Sequence, residues 1–473
     1  MKKYLLTFMS FFVGMALSAQ SFYLCSEGNT QTASTMSFTN NGQLINEVYS
    51  VSSIDSITMH VPDLHFVGGD ISMLTHYEKQ KAKYKNASGT QITDLISFLK
   101  EQGWNSLRLR LFVDPSQDAD KCVVQDLEYV KALGRRIKEA GMLLVLDFHY
   151  SDTWADPAKQ WTPVSWQSLS NEQLYTKIYE YTKDCLEQMV AAGAAPDFIQ
   201  TGNEISYGML YGKGILLKDV YNANEKKTEY LVDSDTYKKC YINSDINWPR
   251  FIKLLQNAIL ACREVCPDGK VIIHTERVGQ PAVLTAIYNK LKTVDYDIIG
   301  LSYYPYFQDH GNLSVLNNSL GQLESQFPDK KIMVVETGCG YHWKMNGTDT
   351  DYPLTYEGQR QFTADLISTL KVHQNVNGLF WWFLEANEYG LDWNTKRVTD
   401  EWHNAGLFDN ETGRALPALY ELKHFSDGGT GLSNLSIDNQ SADDWYTISG
   451  VRIFSNPSKS GIYIHNGLKV AVR

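Results

Sequence analysis

Runs of like charge, long apolar runs and paired cysteines are what this chain has little of. The formal net charge is −11 over 473 residues, yet no acidic or basic block stands out. That excludes nucleic acid and an anionic membrane as natural partners and suits a neutral ligand. Seven cysteines (Cys25, Cys122, Cys185, Cys240, Cys262, Cys266 and Cys339) are few for the length and odd in number. No CxxC pair occurs, and "CREVC" puts Cys262 and Cys266 on one face of a predicted helix, where packing outweighs metal binding. A disulfide scaffold does not hold this fold. GxSxG and HExxH are missing, which removes serine-hydrolase and zinc-protease chemistry. One apolar stretch stands out, "YLLTFMSFFVGMAL", and it is too short for a stable transmembrane helix. With "MKK" before it and "LSAQ" after it, residues 1–19 read as an export signal cut after Ala19. The mature protein is expected in the periplasm, at the cell surface or outside the cell.

What is present describes a foldable globular chain, 43% apolar and 21% charged, with 28 Tyr and 11 Trp. Residues 20–62 are rich in Ser, Thr and Asn with short alternating stretches, and predict a β-rich leader. From residue 63 short apolar runs alternate with longer helical patterns. The strand candidates are "LHFVGGDI", "WNSLRLRLFV", "MLLVLDFHY", "DFIQTGNEI", "KVIIHTE", "YDIIGLSYYP", "KIMVVETG" and "GLFWWFLEA". Eight βα units with near-continuous apolar strands predict a parallel sheet buried on both faces, closed as a (β/α)8 TIM barrel over residues 63–427. An open doubly wound sheet is the competitor, but no GxGxxG or P-loop follows the first strand. From residue 428 the chain turns Gly/Ser/Asn-rich and then β-like again. This C-terminal β tail, 428–473, resembles the sorting signals of some exported Gram-negative proteins.

Barrel chemistry sits where strands end, so the eight ends can be read as one site. In order they supply Asp70, Arg108 and Arg110, Asp147 and His149, Asn203 and Glu204, His274 and Glu276, Ser302 with Tyr304 and Tyr306, Glu336, and Trp381 or Trp382. Glu204 and Glu336 each close an apolar run, on strands placed to face each other across the mouth. Two carboxylates across a cleft, with no metal motif, suit glycoside hydrolysis. The competing reading of each is a rim glutamate in an ion pair. Arg108 cannot stay bare inside a barrel, and Glu336 is its expected partner, which would keep that carboxylate ionised. Asn203 beside Glu204 can bond a sugar hydroxyl, or merely satisfy a turn. His149 forms no metal motif with any neighbour.

"RLRLFVDP", "DFHYSDTWADPAKQ", "TGNEI", "LSYYPYF", "VVETG", "GLFWW" and "AGLFDNETGRALPALYELKHF" together resemble glycoside hydrolase family 53, the arabinogalactan endo-β-1,4-galactanases of the retaining, barrel-fold clan A. The resemblance spans Phe66 to Phe425. It implies Glu204 as general acid/base and Glu336 as nucleophile, with Arg108, Asp147, His149, Trp154, Asn203, Ser302, Tyr304 and Trp382 binding substrate or orienting the carboxylates. Trp154 would offer a stacking face, while Asp152 and Asp156 accept hydroxyl hydrogen bonds or brace their loop. The implied partner is the β-1,4-galactan side chain of pectin, and no cofactor is required. Some bacterial members carry calcium in the late loops, where this chain has Asp349 and Asp351. Departures border the cleft: Tyr211 stands where the family shows Trp, an insertion follows near 213–246, and "RVGQPAVL" replaces a Trp-rich loop. Two other readings stay open, another clan A endo-glycanase of mannanase or xylanase type, and a glycan-binding protein on the same fold.

Overall fold

The computed structural model describes residues 65–117, 122–212, 238–391 and 402–426 with their side chains (Gln117 and Gln308 excepted), and several strands outside these ranges by backbone alone. The export signal of residues 1–19 lies outside the described residues. Eight parallel strands close a barrel: β1 Phe66–Asp70, β2 Ser106–Leu111, β3 Leu143–Phe148, β4 Phe198–Thr201, β5 Lys270–Thr275, β6 Ile298–Tyr303, β7 Lys331–Thr337 and β8 Val376–Trp381. The ring runs in chain order, and β8 closes on β1 through Phe380↔Gly68 and Trp381↔Gly69. The predicted TIM barrel is the fold observed.

Helices return the chain from each strand to the next: α1 Leu95–Glu101, α2 Leu127–Glu139, α3 Asn171–Ala191, α4 Trp248–Val265, α5 Pro281–Lys290, α6 Leu313–Gln326, α7 Tyr356–Lys371 and α8 Pro417–Glu421. Their starts are written locally. Asp94, Asp126, Asn312 and Thr355 cap α1, α2, α6 and α7 with their side chains, and Ser170 forms a full capping box with Gln173 on α3. Each such cap is worth about 1 kcal/mol.

The strand sequences sort side chains by period two. Outward residues such as Leu107, Leu109, Leu144, Leu146 and Ile273 join the large core between sheet and helices. Inward, Val145, Phe198, Ile272, Ile298, Met333, Val335 and Phe380 plug the lower barrel. Above them the same inward rows turn polar, at Arg108, Asp147, Gln200, His274 and Ser302, all fully buried. Aromatics including Tyr304, Tyr306, Trp382 and Phe383 then wall the mouth. Gly68 is required by crowding: a Cβ there would sit 2.1 Å from the Ser106 carbonyl oxygen of the neighbouring strand.

Three further pieces are described by backbone. Tyr23–Cys25 pairs with Ser56–Thr58, and Thr35–Asn40 with Gln43–Ser50, both antiparallel. In the insertion after β4, Gly214–Asn222 and Lys227–Val232 form an antiparallel hairpin that the sequence reading did not anticipate. The chain divides into two compact units at residue 428, and the second carries a four-stranded antiparallel sheet, from Trp445–Thr447 to Leu468–Val472. Among the described residues no helix is long and apolar enough to cross a membrane. Cys185, Cys240, Cys262, Cys266 and Cys339 are buried free thiols, with Cys262 and Cys266 in the main core as expected.

Candidate active site

A cleft of about 410 Å³ opens at the strand ends, lined by Trp154, Asn203, Glu204, Tyr304, Glu336 and Trp382 among others. These are six of the ten residues proposed from sequence. The other four stand behind its walls. Arg108, Asp147 and Ser302 are fully buried, His149 nearly so; Arg108 meets Glu336, Ser302 meets Glu204 and His149 meets Ala155, all in the lining, while Asp147 meets Arg108 behind them. Of the two roles implied for these four, binding sugar or orienting the carboxylates, Arg108 takes the second, meeting Glu336 as expected.

Arg108 is the hub. Its Nη1 lies 3.1 Å from Asp70, and its Nη2 is 2.7 Å from Asp147, 3.0 Å from Asn203 Oδ1 and 2.9 Å from Glu336 Oε1. Two hydrogens on Nη2 serve Asp147 and Asn203, so Glu336 gains a close charge contact without an aligned hydrogen bond from it. Tyr304 donates to the other oxygen of Glu336 at 3.1 Å. Gln200 accepts from Arg108 and donates to Asp147 Oδ1 at 2.7 Å. His149 receives the Ala155 N–H on Nδ1 and stands 3.0 Å from Asp147 through Nε2. Burial lowers its pKa, so the ring is neutral. Arg110 pairs with Asp70 at 3.2 Å, and its guanidinium carbon lies 4.6 Å from both the Trp154 and Trp382 ring centres, which meet each other edge-on.

Glu336 reaches this network through an irregularity. Met333 and Val335 point into the barrel, so strict alternation would turn Glu336 outward. The β6–β7 ladder shifts, pairing Leu301 with Val334 and then Ser302 with Glu336. That bulge re-aims the carboxylate into the mouth. Glu204 is placed by strain instead. Its φ is +49° and that of Gly202 is +104°, a left-handed path that costs a non-glycine residue about 1–3 kcal/mol. Gln160 donates to the Asn203 carbonyl at 2.7 Å, and Ile205 N–H to the His274 carbonyl at 2.9 Å, which holds the turn.

The two carboxyls differ electrically. Burial, then the Glu336 charge, then the Glu276 charge push Glu204 well above the ordinary glutamate range. Burial also raises Glu336, but Arg108 opposes it and Tyr304 favours the anion. Asp147 and Asp70 add to the rise of Glu336, which reaches about 7, below Glu204, so the first proton of the pair sits on Glu204 and Glu336 is the more readily ionised of the two. One protonated and one ionised carboxyl on a shared cleft can supply a proton and an electron pair to one glycosidic linkage.

The loop "DFHYSDTWADPAKQ" divides its labour. Tyr150 stacks on Phe148 and bonds Thr182. Asp152 accepts the Asp114 and Val164 N–H groups, so it braces the loop. Asp156 does both: it accepts from Ala158 and Lys159 N–H, pairs with the Lys159 ammonium at 2.7 Å, and lines the cleft. Gln200, His274 and Glu276 were not among the chosen site residues, although Gln200 shares Phe198's inward parity and was legible on that ground. Trp402, also in the lining, sits in a long connection with no pattern to reveal it. Asp349 pairs with Lys344, and among the described residues no cluster of three ligands could hold a metal.

Comparisons with known proteins agree with this geometry. The model of glycosyl hydrolase family 53 matches residues 66–422. An uncharacterized protein of Niallia circulans is 32% identical, covering 76% of this chain and 93% of the relative. The arabinogalactan endo-β-1,4-galactanase A of Aspergillus niger is 29% identical, over 67% of this chain and 85% of its own. The solved family 53 catalytic domain of Ignisphaera aggregans superposes with a TM-score of 0.64 at 29% identity, over 76% of this chain and 96% of that one. With its barrel, cleft and matched span taken together, this chain belongs to glycosyl hydrolase family 53.

Proposed function

We propose that this protein is a retaining endo-β-1,4-galactanase acting on the (arabino)galactan side chains of pectin. The observation that carries the reading is the electrical asymmetry of Glu204 and Glu336 across one cleft. The activity printed for the Aspergillus niger relative supports the substrate. Glu204, protonated, donates to the glycosidic oxygen while Glu336 attacks the anomeric carbon. A galactosyl ester on Glu336 results, and the leaving chain departs as an alcohol. Water then gives a proton to Glu204, now ionised, and attacks the same carbon, releasing Glu336. Arg108 keeps Glu336 ionised, Tyr304 orients it, and Asn203 presents its amide beside the reacting sugar. Trp154 and Trp382, both packed against Arg110, offer apolar faces to a pyranose ring. A polymer too large to enter a cell must be met outside it, which supports the export signal read in residues 1–19.

Reducing-end release from linear β-1,4-galactan, by the parent protein and by Glu336→Ala, tests the reading. Activity in the parent, lost in the variant, is the expected result. Silence on galactan with hydrolysis of mannan or xylan would move the substrate to another clan A type. Retardation in a galactan gel without any release would make the protein a binder.

A further inference from the structure

Behind Glu204 lies a chain of buried groups that the mechanism above leaves without a role. Ser302 donates to Glu204 Oε1 at 2.6 Å, and His274 Nε2 is 2.8 Å from Ser302 Oγ. Both side chains are fully buried, and neither lines the cleft.

The direction of this chain is set at the far nitrogen of His274. Nδ1 faces the Glu204 backbone N–H at 3.3 Å, the Gln200 side-chain nitrogen at 3.0 Å and Asn203 Oδ1 at 3.1 Å. A backbone N–H is a donor that cannot be reversed. The Gln200 amide is fixed as well, because its oxygen accepts from Arg108 while its nitrogen donates to Asp147. Asn203 is fixed by accepting from Arg108 and donating to the Ala155 carbonyl. Two donors thus meet Nδ1 against one acceptor, so Nδ1 carries a lone pair and Nε2 carries the hydrogen. Burial keeps the ring neutral. Nε2–H then occupies a Ser302 lone pair, and the Ser302 hydrogen turns to Glu204 Oε1.

We infer that His274 and Ser302 are positioning residues that hold the proton of Glu204 on Oε2, the oxygen left to the cleft. A hydroxyl that donates to Oε1 cannot accept from it, so Oε1 stays bare when Glu204 is protonated. The left-handed backbone at Glu204 takes part, since it aims that residue's own N–H at His274 and sets the tautomer. This rests on Glu204 being the proton donor of the proposed reaction.

Ser302→Ala tests it. Its kcat/KM on galactan, where the leaving oxygen needs a proton, should fall at least about tenfold further than on the 2,4-dinitrophenyl glycoside of β-1,4-galactobiose, where it does not. Ser302→Thr, which keeps the hydroxyl, should restore the galactan rate. Equal losses on both substrates, or none on galactan, would overturn the relay. The ring nitrogens of His274 in ¹⁵N-labelled protein provide a reading that needs no substrate: an Nε2–H tautomer is expected across the neutral range, and an Nδ1–H tautomer would end the proposal. Should the parent cleave neither galactan nor the aryl glycoside, the galactanase reading fails, and the tautomer still decides the relay.

Discussion

Arg108 serves three carboxylates from one fully buried guanidinium, and that makes it the residue on which both stability and ionisation turn. Arg108→Met leaves Asp147 and Glu336 without a cation, while Asp70 keeps Arg110 at 3.2 Å, and should cost about 3–5 kcal/mol in urea unfolding. In whatever folds, Glu336 has lost the charge that favoured its anion. Its pKa rises, so the acid limb of the kcat/KM profile should move to higher pH. Glu204→Ala should lower kcat/KM on galactan by roughly 10²–10⁴ while sparing kcat/KM on aryl glycosides with good leaving groups, whose kcat still falls because water loses its base. Much of this was legible beforehand, since a polar residue closing an apolar strand stands out at Glu204 and Glu336. The pairing of Arg108 with Glu336 followed from the cost of a bare buried cation. Whether a group touches sugar or another side chain was not legible, because Ser302 and Tyr304 have the same parity on one strand, and only depth in the barrel separates them.

Single elements carry two devices that alternation could not reveal. The β7 bulge turns Glu336 inward, and it depends on pairing with β6, a partner some 30 residues away in sequence. The close β1–β2 approach is different, for it leaves a trace in "FVGGD". Gly68→Ala would press a Cβ against the Ser106 carbonyl oxygen, and should lower stability by about 3 kcal/mol, read as a drop in urea midpoint with unchanged slope. Helix starts at Asp94, Asp126, Ser170 and Thr355 are set locally, by one side chain accepting from the next turn. The hairpin in the insertion after β4 was missed, since "GILLKDVYN" and "KTEYLV" carry no strictly alternating pattern.

For the molecule as a whole, the charged interior makes stability depend on pH in an identifiable way. Glu385 is fully buried, accepts the Met73 N–H at 2.6 Å, and is pushed up to about 8 by burial first and the Asp70 charge second. An unfolded glutamate titrates near 4.3, so between about pH 4.3 and 8 the fold holds a proton that the unfolded chain releases. Unfolding free energy from this group therefore falls as pH rises through that window, by up to about 1.4 kcal/mol per pH unit. Glu385→Gln keeps an acceptor for Met73 and removes the titration, so it should flatten the slope of stability across that range in a urea series. A parent slope no steeper than the variant's would show that Glu385 is ionised in the fold.

Local chemistry accounts for the parts that were readable in advance: eight near-continuous apolar runs alternating with helical patterns, the polar groups at their ends, and a motif dense enough around Trp154 to place the family. Each depends on neighbours within a few residues, which a linear text records. The closing of the ring set the rest. It brought Asp70, Asp147 and Glu336 onto one arginine, and it placed His274 and Ser302 behind Glu204 rather than before the substrate. Those relations join strands far apart in the chain, through distances of about 3 Å that depend on strand register and a bulge. The sequence contains the groups, and only packing aligns their hydrogens and charges.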